Sequence, residues 1–364
     1  HIIHVFPSFG RGGVPIKICR AINYFGAKAS HRIISTNDDY GSEDLLNEGL
    51  NVTVDKTHHN MGGTLLSRIK AYRAILENSE ADLLITYNWG SVEWALANSF
   101  GPILRHIHVE SGFGPDEANG TLLKRDLFRR LSLRNIEALS VPSNTLIEIA
   151  KNKWKIAQQK INYIPNGVDL EKFARPAQDF TIDELVRTEN DVIIGTMAPL
   201  RPEKNISRLI NSFKQIKLEN AKLVIMGEGV ERERLEVLAR ELDISDKVIF
   251  TGYVSDTASA LGLIDIFAIS SDTEQMPNAV NEAMAAGLPV AGLSVGDVKH
   301  MVSSTNKDFI VAAGDDQAFQ VALKTLATDK EKQQLIGKAN LNHVTEHYGL
   351  VDMYKKYAEL LGIR

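Results

Sequence analysis

Cysteine is nearly absent from this chain of 364 residues, in which Cys19 is the only one. A single cysteine excludes an intrachain disulfide and any zinc site built on cysteine ligands. Reducing, intracellular conditions therefore fit best, although a cysteine-poor periplasmic protein would have the same composition. The chain opens on the apolar run HIIHVF with no basic segment before it, so we expect no signal peptide.

Long apolar runs and an excess of basic residues are also lacking. No stretch approaches about 18 consecutive apolar residues, so we expect no transmembrane helix. Lys and Arg number 41 against 46 Asp and Glu, a formal net charge of −5, with 44% apolar and 24% charged residues. These are ordinary values for a globular protein, and nucleic-acid binders usually show a basic excess. We therefore expect a cytoplasmic protein that binds no nucleic acid.

Short apolar runs alternate with amphipathic stretches along nearly the whole chain. Strands separated by helices of about 10–15 residues predict parallel sheets built from βαβ crossovers. The alternation pauses at 166–190, a polar segment that opens on Pro-Asn-Gly and is predicted to be a linker. The predicted strands are 1–6, 32–35, 82–87, 103–107, 136–141 and 161–164 before the pause, and 192–197, 223–226, 248–251, 264–270, 289–292 and 309–311 after it.

Two such series predict two doubly wound α/β domains rather than one barrel, which would take about 250 residues without a pause. We expect an N-terminal domain at 1–170 and a C-terminal domain at 171–345. A last helix at 350–361 follows the helices that are expected to cover the second sheet. Residues 346–364 are therefore expected to pack back onto the first domain. Ligands of open α/β sheets bind outside the carboxyl ends of the strands, which makes the cleft between the domains the expected site.

A glycine-rich loop, Phe9-Gly10-Arg11-Gly12-Gly13, follows the first predicted strand. Glycines let the backbone approach a ligand closely, and the helix N-terminus that follows favours an anion. Pro15 stands where a dinucleotide fingerprint needs its third Gly or Ala, which disfavours a dehydrogenase. The alternative is a tight strand-to-helix turn that contacts no ligand.

The loop after the first strand of the second half carries Arg201 and Lys204. A guanidinium fork and a mobile ammonium, three residues apart at a strand end, suit the oxygens of a diphosphate. An arginine and a lysine in a polar loop are more often merely solvated. The pair alone is therefore weak evidence for an anion site.

Glu274 and Glu282 flank the start of a predicted helix. Pro277 suits its first turn and Gly287 suits its C-terminal cap. The amides at 278–279 then lie at the positive helix end without intrahelical partners, ready for a phosphate. Two carboxylates beside that anion site could grip hydroxyls of two different sugars. A helix with a capping carboxylate is the alternative.

Two glutamates separated by seven residues, with a proline and a glycine at these places, resemble the signature of the retaining glycosyltransferases of family 4. Those enzymes have the GT-B fold, in which two Rossmann-like parallel-sheet domains face each other across a cleft. The resemblance spans nearly the full chain in the right order. The other matching motifs are 10–13, 164–169 (IPNGVD), 201 with 204, 223–229, 250–253 and 286–290.

The resemblance implies a donor site in the second domain. Arg201 and Lys204 would hold the donor diphosphate. Glu282 would bind the nucleotide ribose, and Glu274 would lie at the hydroxyls of the donor sugar. The implied donor-binding residues are Gly12, Gly13, Met276, Pro277, Asn278, Ala279 and Glu282, with Gly227, Gly229 and Tyr253 beside the base.

A histidine that ends a strand near the anomeric carbon is typical of the family. His108 is the better match here, and strand parity places His106 on the same face further back. Glu110 could reach the acceptor. A lone histidine is often structural, which is the alternative for this one. The catalytic candidates are His108, Glu274, Arg201 and Lys204.

Retention without an obvious nucleophile fits a front-face displacement, in which the leaving diphosphate needs charge stabilisation more than a general base. The chain has no Asp-x-Asp sequence, so no metal and no other cofactor is expected. The expected function is retaining transfer from a UDP- or GDP-sugar to a saccharide or lipid-linked saccharide in cell-surface glycan synthesis. The alternatives are a UDP-sugar epimerase of the same architecture and a non-catalytic nucleotide-sugar-binding subunit.

Two departures from the family pattern concern the substrates. Residues 294–300 (SVGDVKH) replace a Gly-Gly pair followed by a glutamate, and Val14-Pro15 follows the glycine loop where relatives have an acidic or small polar pair. These differences put the identity of the donor sugar and acceptor in doubt more than the reaction class.

The segment from Lys124 to Arg134 (KRDLFRRLSLR) holds five basic residues and one acidic residue. Leu123, Leu127 and Leu131 form an apolar stripe beside them. Such a helix can lie on an anionic membrane, which would make the protein peripheral at the inner face. The alternative is a helix that packs on its sheet through the leucines and leaves a solvated basic face.

Overall fold

The structure is a computed structural model that describes residues 1–57, 62–113, 117, 120–175, 177 and 180–363. The chain divides into two compact units. Unit 1 comprises His1–Pro165 and Met353–Arg364, and unit 2 comprises Asn166–Asp352. Each unit is a parallel sheet packed with helices, as the alternating pattern predicts.

The sheet of unit 1 has seven parallel strands in the order β3-β2-β1-β4-β5-β6-β7. The central strand β1 (Ile2–Phe6) is buried along its whole length. Its alternate side chains enter two different cores, Ile2 and Phe6 on one face and Ile3 and Val5 on the other. The remaining strands are β2 (His31–Ser35), β3 (Val52–Asp55), β4 (Leu83–Tyr87), β5 (Arg105–Val109), β6 (Ala138–Val141) and β7 (Ile161–Tyr163).

The sheet of unit 2 has six parallel strands in the order β10-β9-β8-β11-β12-β13. Its strand order reverses beside β8 (Val192–Met197), as that of unit 1 reverses beside β1, and this is the switch point where doubly wound sheets bind ligands. The other strands are β9 (Ala221–Met226), β10 (Val248–Gly252), β11 (Ile266–Ile269), β12 (Val290–Leu293) and β13 (Ile310–Val311).

Amphipathic helices cover the sheets. In α7 (Ile206–Ile216), Ile206, Leu209, Ile210 and Phe213 repeat at helical spacing and are all buried. The helices of unit 1 are α1 (Gly13–Phe25), α2 (Leu65–Glu77), α3 (Val92–Ser99), α4 (Leu123–Ser132), α5 (Asn144–Asn152) and α14 (Leu350–Leu361). Those of unit 2 are α6 (Leu170–Ala174), α8 (Arg232–Glu241), α9 (Thr257–Leu261), α10 (Asn278–Ala285), α11 (Val298–Met301), α12 (Asp316–Thr328) and α13 (Lys330–His347), besides α7.

Two sequence-based expectations about these elements are wrong. Strand β3 was missed because it is an edge strand whose residues alternate between apolar and polar, without a continuous apolar run. The predicted linker at 166–190 is not a free connection. It contains α6, and its Phe173 and Ile182 are buried in a core of unit 2.

The helix α14 starts and ends where the sequence predicts and is grouped with unit 1. Leu360, Leu361 and Ile363 pack against the core on one face of the first sheet. The Tyr354 ring lies 5.0 Å from that of Tyr24 on α1. The chain therefore returns to unit 1 after completing unit 2.

The helix α4 does not bury the face that one of the two sequence-based interpretations predicts. Its buried residues are Asp126, Arg129 and Ser132. Its leucines Leu123 and Leu127 are exposed at 74% and 56%. The expectation that the leucines pack on the sheet beneath a solvated basic face is therefore wrong.

Across the described part of the chain, no helix has the length and apolar character needed to cross a membrane.

Candidate functional site

A cavity of about 170 Å³ lies at the carboxyl ends of β8 and β11 in unit 2. Parallel strands of a doubly wound sheet direct their carboxyl ends to one edge, where ligands bind. Lys204 and Glu274 line this cavity, together with Pro277, Asn278 and Ala279 at the start of α10. The sequence-predicted anion site and one of its two glutamates thus come together in one place.

Lys204 and Glu274 form a direct ion pair. The Lys204 ammonium donates to Oε1 of Glu274 over 2.6 Å, and the hydroxyl of Ser271 donates to the same oxygen over 2.7 Å. Glu274 therefore neutralises the charge of Lys204. Ser271 was not expected in the site, since nothing in the sequence distinguishes it from the rest of a polar loop.

Arg208 on α7 anchors the loop that carries Glu274. Its guanidinium donates to the Ser270 carbonyl over 2.8 Å and to carboxylate oxygens of Asp272 and Asp316 over 2.6 Å and 2.7 Å. Burial alone would lower the pKa of Arg208, but these carboxylates raise it above its ordinary value. Sequence reasoning missed this residue because its carboxylate partners lie 64 and 108 positions away.

The helix α10 starts within one residue of the predicted position. Pro277 is its N-cap, the helix runs over Asn278–Ala285, and Gly287 follows with a φ of +73°. The first amides of a helix have no intrahelical acceptors, so those at 278–279 lie at its positive end, beside the cavity. Glu282 is half-buried on the same helix, one turn further along.

Asn166 ties the start of the Pro-Asn-Gly segment to this helix. Its side-chain amide donates to the Met276 carbonyl over 3.0 Å, and its own carbonyl accepts from the buried amide of Asn281 over 2.7 Å. The segment therefore fixes the backbone at Met276, directly before the helix N-terminus. The IPNGVD motif was recognised in the sequence, but a contact over 110 positions could not be read from it.

Arg201 does not share the cavity of Lys204. It lines a separate cavity of about 310 Å³ with Glu231 and Arg234. Lys204 therefore lies beside Glu274, and the predicted role of Arg201 at the diphosphate stays a prediction.

The loops predicted to border the base are adjacent to each other. The Gly227 amide donates to the Gly252 carbonyl over 2.8 Å. A Cβ on Gly227 would lie 1.9 Å from the Ala198 carbonyl oxygen, and one on Gly229 would lie 2.3 Å from that of Leu200. Glycine is therefore required for this loop to pack on the loop after β8. Tyr253 is 80% exposed, so its ring is open to a stacking partner.

In unit 1 the glycine-rich loop lines a cavity of about 320 Å³, which contains Gly12 and Gly13. A Cβ on Gly10 would lie 1.9 Å from the Asp39 carboxylate, so a larger residue there would displace that side chain. Ser8 donates to that carboxylate over 2.8 Å. Asp39 and Ser8 were not predicted as site residues.

Asn88, at the end of β4, lines the same cavity with a strained backbone. Its φ of 52° and ψ of −174° fall in a region that is essentially restricted to glycine. The Asn88 amide donates to the Val109 carbonyl over 2.9 Å, and its side-chain oxygen accepts from the Ser111 amide over 2.8 Å. Strain of this kind clusters at functional sites. The only sequence signal was an asparagine directly after a strand.

His108 and Glu110 lie together, and both side chains are fully buried. His108 Nε2 is 3.7 Å from a Glu110 oxygen, and Thr86 Oγ1 lies 2.8 Å from both His108 Nδ1 and His106 Nε2. The predicted shared face of the two histidines is confirmed. Burial lowers the pKa of His106 to about 3, so His106 is neutral. Direct contact of His108 or Glu110 with a substrate requires a change in this packing, and their predicted roles stay predictions.

The arginine of this cluster, Arg129, is buried in an aromatic box. Its guanidinium lies 4.9 Å to 5.2 Å from the ring centroids of Trp89, Phe113 and Trp154. It donates to both carboxylate oxygens of Glu117 over 3.0 Å and 2.9 Å. Burial would raise the pKa of Glu117, but the hydrogen bonds, led by those from Arg129, hold it below its ordinary value. This cluster fixes α4 against the end of β5.

Two family models match the chain, one in each half. "Glycosyltransferase Family 4" matches residues 30–172, and "Glycosyl transferases group 1" matches residues 177–343. An uncharacterized glycosyltransferase of Haemophilus influenzae is 24% identical over 368 residues, covering 99% of this chain and 98% of the relative.

Other curated relatives match over a shorter length. The UDP-Gal:alpha-D-GlcNAc-diphosphoundecaprenol alpha-1,3-galactosyltransferase of Escherichia coli is 26% identical over 221 residues, 58% of this chain and 57% of that enzyme. Apart from the Haemophilus protein, the chain spans about half the length of the curated relatives it matches.

Among solved structures, Anabaena Alr3699/HepE in complex with UDP superposes with a TM-score of 0.81 at 19% identity, covering 99% of both chains. WaaG, a glycosyltransferase involved in lipopolysaccharide biosynthesis, superposes with a TM-score of 0.74 at 14% identity, covering 99% of both chains. With two doubly wound parallel sheets, these neighbours confirm the predicted GT-B fold.

Proposed function

The chain belongs to the glycosyl transferases of group 1, and from that premise we propose that it transfers a sugar from a UDP- or GDP-sugar to a saccharide with retention of anomeric configuration. The observation that carries the proposal is the ion pair of Lys204 and Glu274 beside the N-terminus of α10. A lysine and a helix N-terminus bind a diphosphate, and a carboxylate accepts hydrogen bonds from sugar hydroxyls. One cavity thus offers both kinds of contact that a nucleotide-sugar needs.

Each proposed donor-binding residue contacts a different part of the nucleotide-sugar. Lys204 and the amides at 278–279 hold the diphosphate, and Arg201 joins them when its side chain turns out of the cavity that it lines with Glu231. Glu282 takes the ribose, and Tyr253 stacks on the base. Glu274 leaves Lys204 when the phosphate arrives and accepts hydrogen bonds from the donor sugar. The UDP complex of the Anabaena neighbour supports UDP as the nucleotide.

The reaction breaks the bond between the anomeric carbon and the diphosphate oxygen. The acceptor oxygen forms the new bond on the same face, and its proton passes to the departing phosphate oxygen. Lys204 and the α10 dipole stabilise the charge that develops on the leaving group. These groups are supplied by the protein itself, so we propose that neither a metal nor another cofactor takes part.

The acceptor is proposed to be a saccharide or a lipid-linked saccharide in cell-surface glycan synthesis. Support comes from the Escherichia coli relative, whose name states a diphosphoundecaprenol-linked acceptor, and from WaaG. A lipid-linked acceptor would place the enzyme at the inner face of a membrane as a peripheral protein.

The test is a donor panel. The full chain is incubated with UDP- and GDP-sugars, with and without candidate acceptors and with and without a metal chelator, while nucleotide release is followed. Acceptor-dependent release that survives the chelator supports the proposal. Conversion of a UDP-sugar without acceptor would instead identify an epimerase. Binding of a nucleotide-sugar without any turnover would identify a non-catalytic subunit.

A further inference from the structure

The helix α4 exposes an apolar stripe of three leucines. Leu123, Leu127 and Leu131 are 74%, 56% and 41% exposed. Spaced four residues apart, they lie within an arc of about 80° on one face of the helix. Leu122, which precedes the helix, is also exposed. A stripe of this kind on a water-facing helix is costly unless something apolar covers it.

The inward face of α4 fixes this orientation. Arg129 is buried between aromatic rings and bonded to Glu117, and Asp126 accepts from the indole of Trp154 over 2.8 Å. Turning the leucines inward would expose these aromatic rings and break the buried ion pair. A charge removed from its buried partner is far more costly than an exposed leucine. The outward leucines are therefore a fixed property of the folded unit.

Cations border the leucine stripe on both sides. At about 100° per residue, Arg130 lies about 20° before Leu123 and Lys124 lies about 20° beyond Leu131. Both are exposed. Arg134 follows at the end of the helix, its guanidinium 4.4 Å from the ring centroid of the exposed Phe100. Asp126, the acidic residue of the helix, is buried. The exposed face of α4 is thus apolar along its centre and cationic at its rim.

We propose that this face, the α4 face defined by Leu123, Leu127, Leu131, Lys124 and Arg130, docks on an anionic lipid surface. The leucines enter the boundary between headgroups and acyl chains, while Lys124 and Arg130 contact the headgroup phosphates. Charge complementarity selects this occupant. A second copy docking through the same face about a two-fold axis would bring like charges of the two rims together.

The proposal goes beyond glycosyl transfer, because lipid binding by this face needs neither donor nor acceptor. It gives a physical route by which the enzyme would meet a lipid-linked acceptor. Failure of one proposal leaves the other open, since nucleotide binding in unit 2 and lipid binding by unit 1 are measured separately.

The test is co-sedimentation of the full chain with large unilamellar vesicles. One set contains phosphatidylcholine alone, and the other contains equal parts of phosphatidylcholine and phosphatidylglycerol. The variants are the triple change Leu123→Ser, Leu127→Ser and Leu131→Ser, and the double change Lys124→Gln with Arg130→Gln. The matched controls in unit 2 are Leu335→Ser and the double change Lys330→Gln with Lys338→Gln, all at exposed positions.

We expect binding to the anionic vesicles that weakens with salt. The triple leucine variant should bind at least about tenfold more weakly, because bound apolar area sets the affinity. The double charge variant should also bind more weakly, and both controls should bind as the unchanged protein does. All variants should keep the same circular dichroism and UDP binding, because the substituted side chains are exposed.

Three outcomes would overturn the proposal. The unchanged protein would show no preference for anionic over neutral vesicles, or the triple leucine variant would bind as well as the unchanged protein. Alternatively, light scattering would show a dimer that the triple leucine variant converts to a monomer without vesicle binding, which would assign the α4 face to a second copy.

Discussion

The ammonium of Lys204 lies 2.6 Å from Oε1 of Glu274, so the cation of the cavity beside α10 is paired with a carboxylate. Under the proposed function, the donor diphosphate competes with Glu274 for this lysine. The pairing compensates a largely buried cation, which lowers the cost of holding it there. Substitutions of Lys204 and of Glu274 should therefore have different effects on ligand binding.

Lys204→Met should weaken UDP binding by about tenfold or more, because a charge-assisted hydrogen bond to phosphate is lost and Glu274 then repels the ligand. Glu274→Gln should bind UDP as tightly as the unchanged protein or more tightly, while turnover falls by at least about tenfold. Calorimetry with UDP and nucleotide-release assays measure the two effects. Glu331→Gln, an exposed position on α13, is the control. Weaker UDP binding in Glu274→Gln would contradict the competition.

Arg208→Met should loosen the loop that carries Glu274. The three acceptors of Arg208 lose their donor, so we expect a loss of about 1–3 kcal/mol in the stability of unit 2. The KM for the donor should rise about tenfold because the loop is less well positioned. Thermal melts and donor kinetics measure both. Arg187→Met, which removes a more exposed ion pair to Asp265, should leave the KM unchanged. A lowered stability with an unchanged KM would show that Arg208 stabilises the fold and does not position the loop for the donor.

The stability of the Asn88 variants should depend on how easily the new residue adopts the strained backbone conformation. Asn88→Gly relieves the conformation and Asn88→Ala does not, so the alanine variant should be about 1–3 kcal/mol less stable than the glycine variant. Both variants lose the bond to the Ser111 amide equally, which makes them a matched pair. Denaturant unfolding of the two variants side by side gives the difference. Equal stabilities would mean that the strain is not present in solution.

Acid should destabilise unit 1 through His4 and His31. The two rings are hydrogen-bonded at 2.9 Å, and burial lowers the pKa of His4 well below its ordinary value and that of His31 to about 4. The unfolded chain therefore binds more protons, so this stability is complete above about pH 6.5 and is lost as the pH falls toward 4.

His31 alone accounts for about 3 kcal/mol of this change. His31→Gln should flatten the fall of the melting temperature between pH 6.5 and 4, whereas His347→Gln, at an exposed position, should not. An equally steep fall in His31→Gln would place the acid sensitivity elsewhere.

Much of the fold could be predicted because buried parallel strands such as β8 read as continuous apolar runs. Strand β3 could not, because one half-exposed edge strand lacks that run. The α4 helix shows a different limit. Its leucine spacing predicts an apolar face correctly, but only Glu117 and the surrounding rings decide that Arg129 lies inside. Periodicity locates a face and does not say which face is buried.

The candidate site was predictable where its residues are close in the chain. Pro277 and the amides that follow it form the expected helix start. Contacts between distant segments could not be read, such as Arg208 with Asp316 or Asn166 with Met276. The positions of the Arg201 and Lys204 side chains could not be read either, because the two residues share a loop and yet line different cavities.

The anomeric configuration of the transferred sugar is the sharpest test of the proposed transfer with retention. Once the donor panel has identified a donor and acceptor, proton NMR of the product reads the configuration at the new linkage. We expect the product to keep the configuration of the donor sugar, to form only when the acceptor is present and to be lost in Lys204→Met. An inverted linkage would contradict retention, and product formation that is unaffected by Lys204→Met would contradict the proposal that the donor binds in the cavity of Lys204 and Glu274.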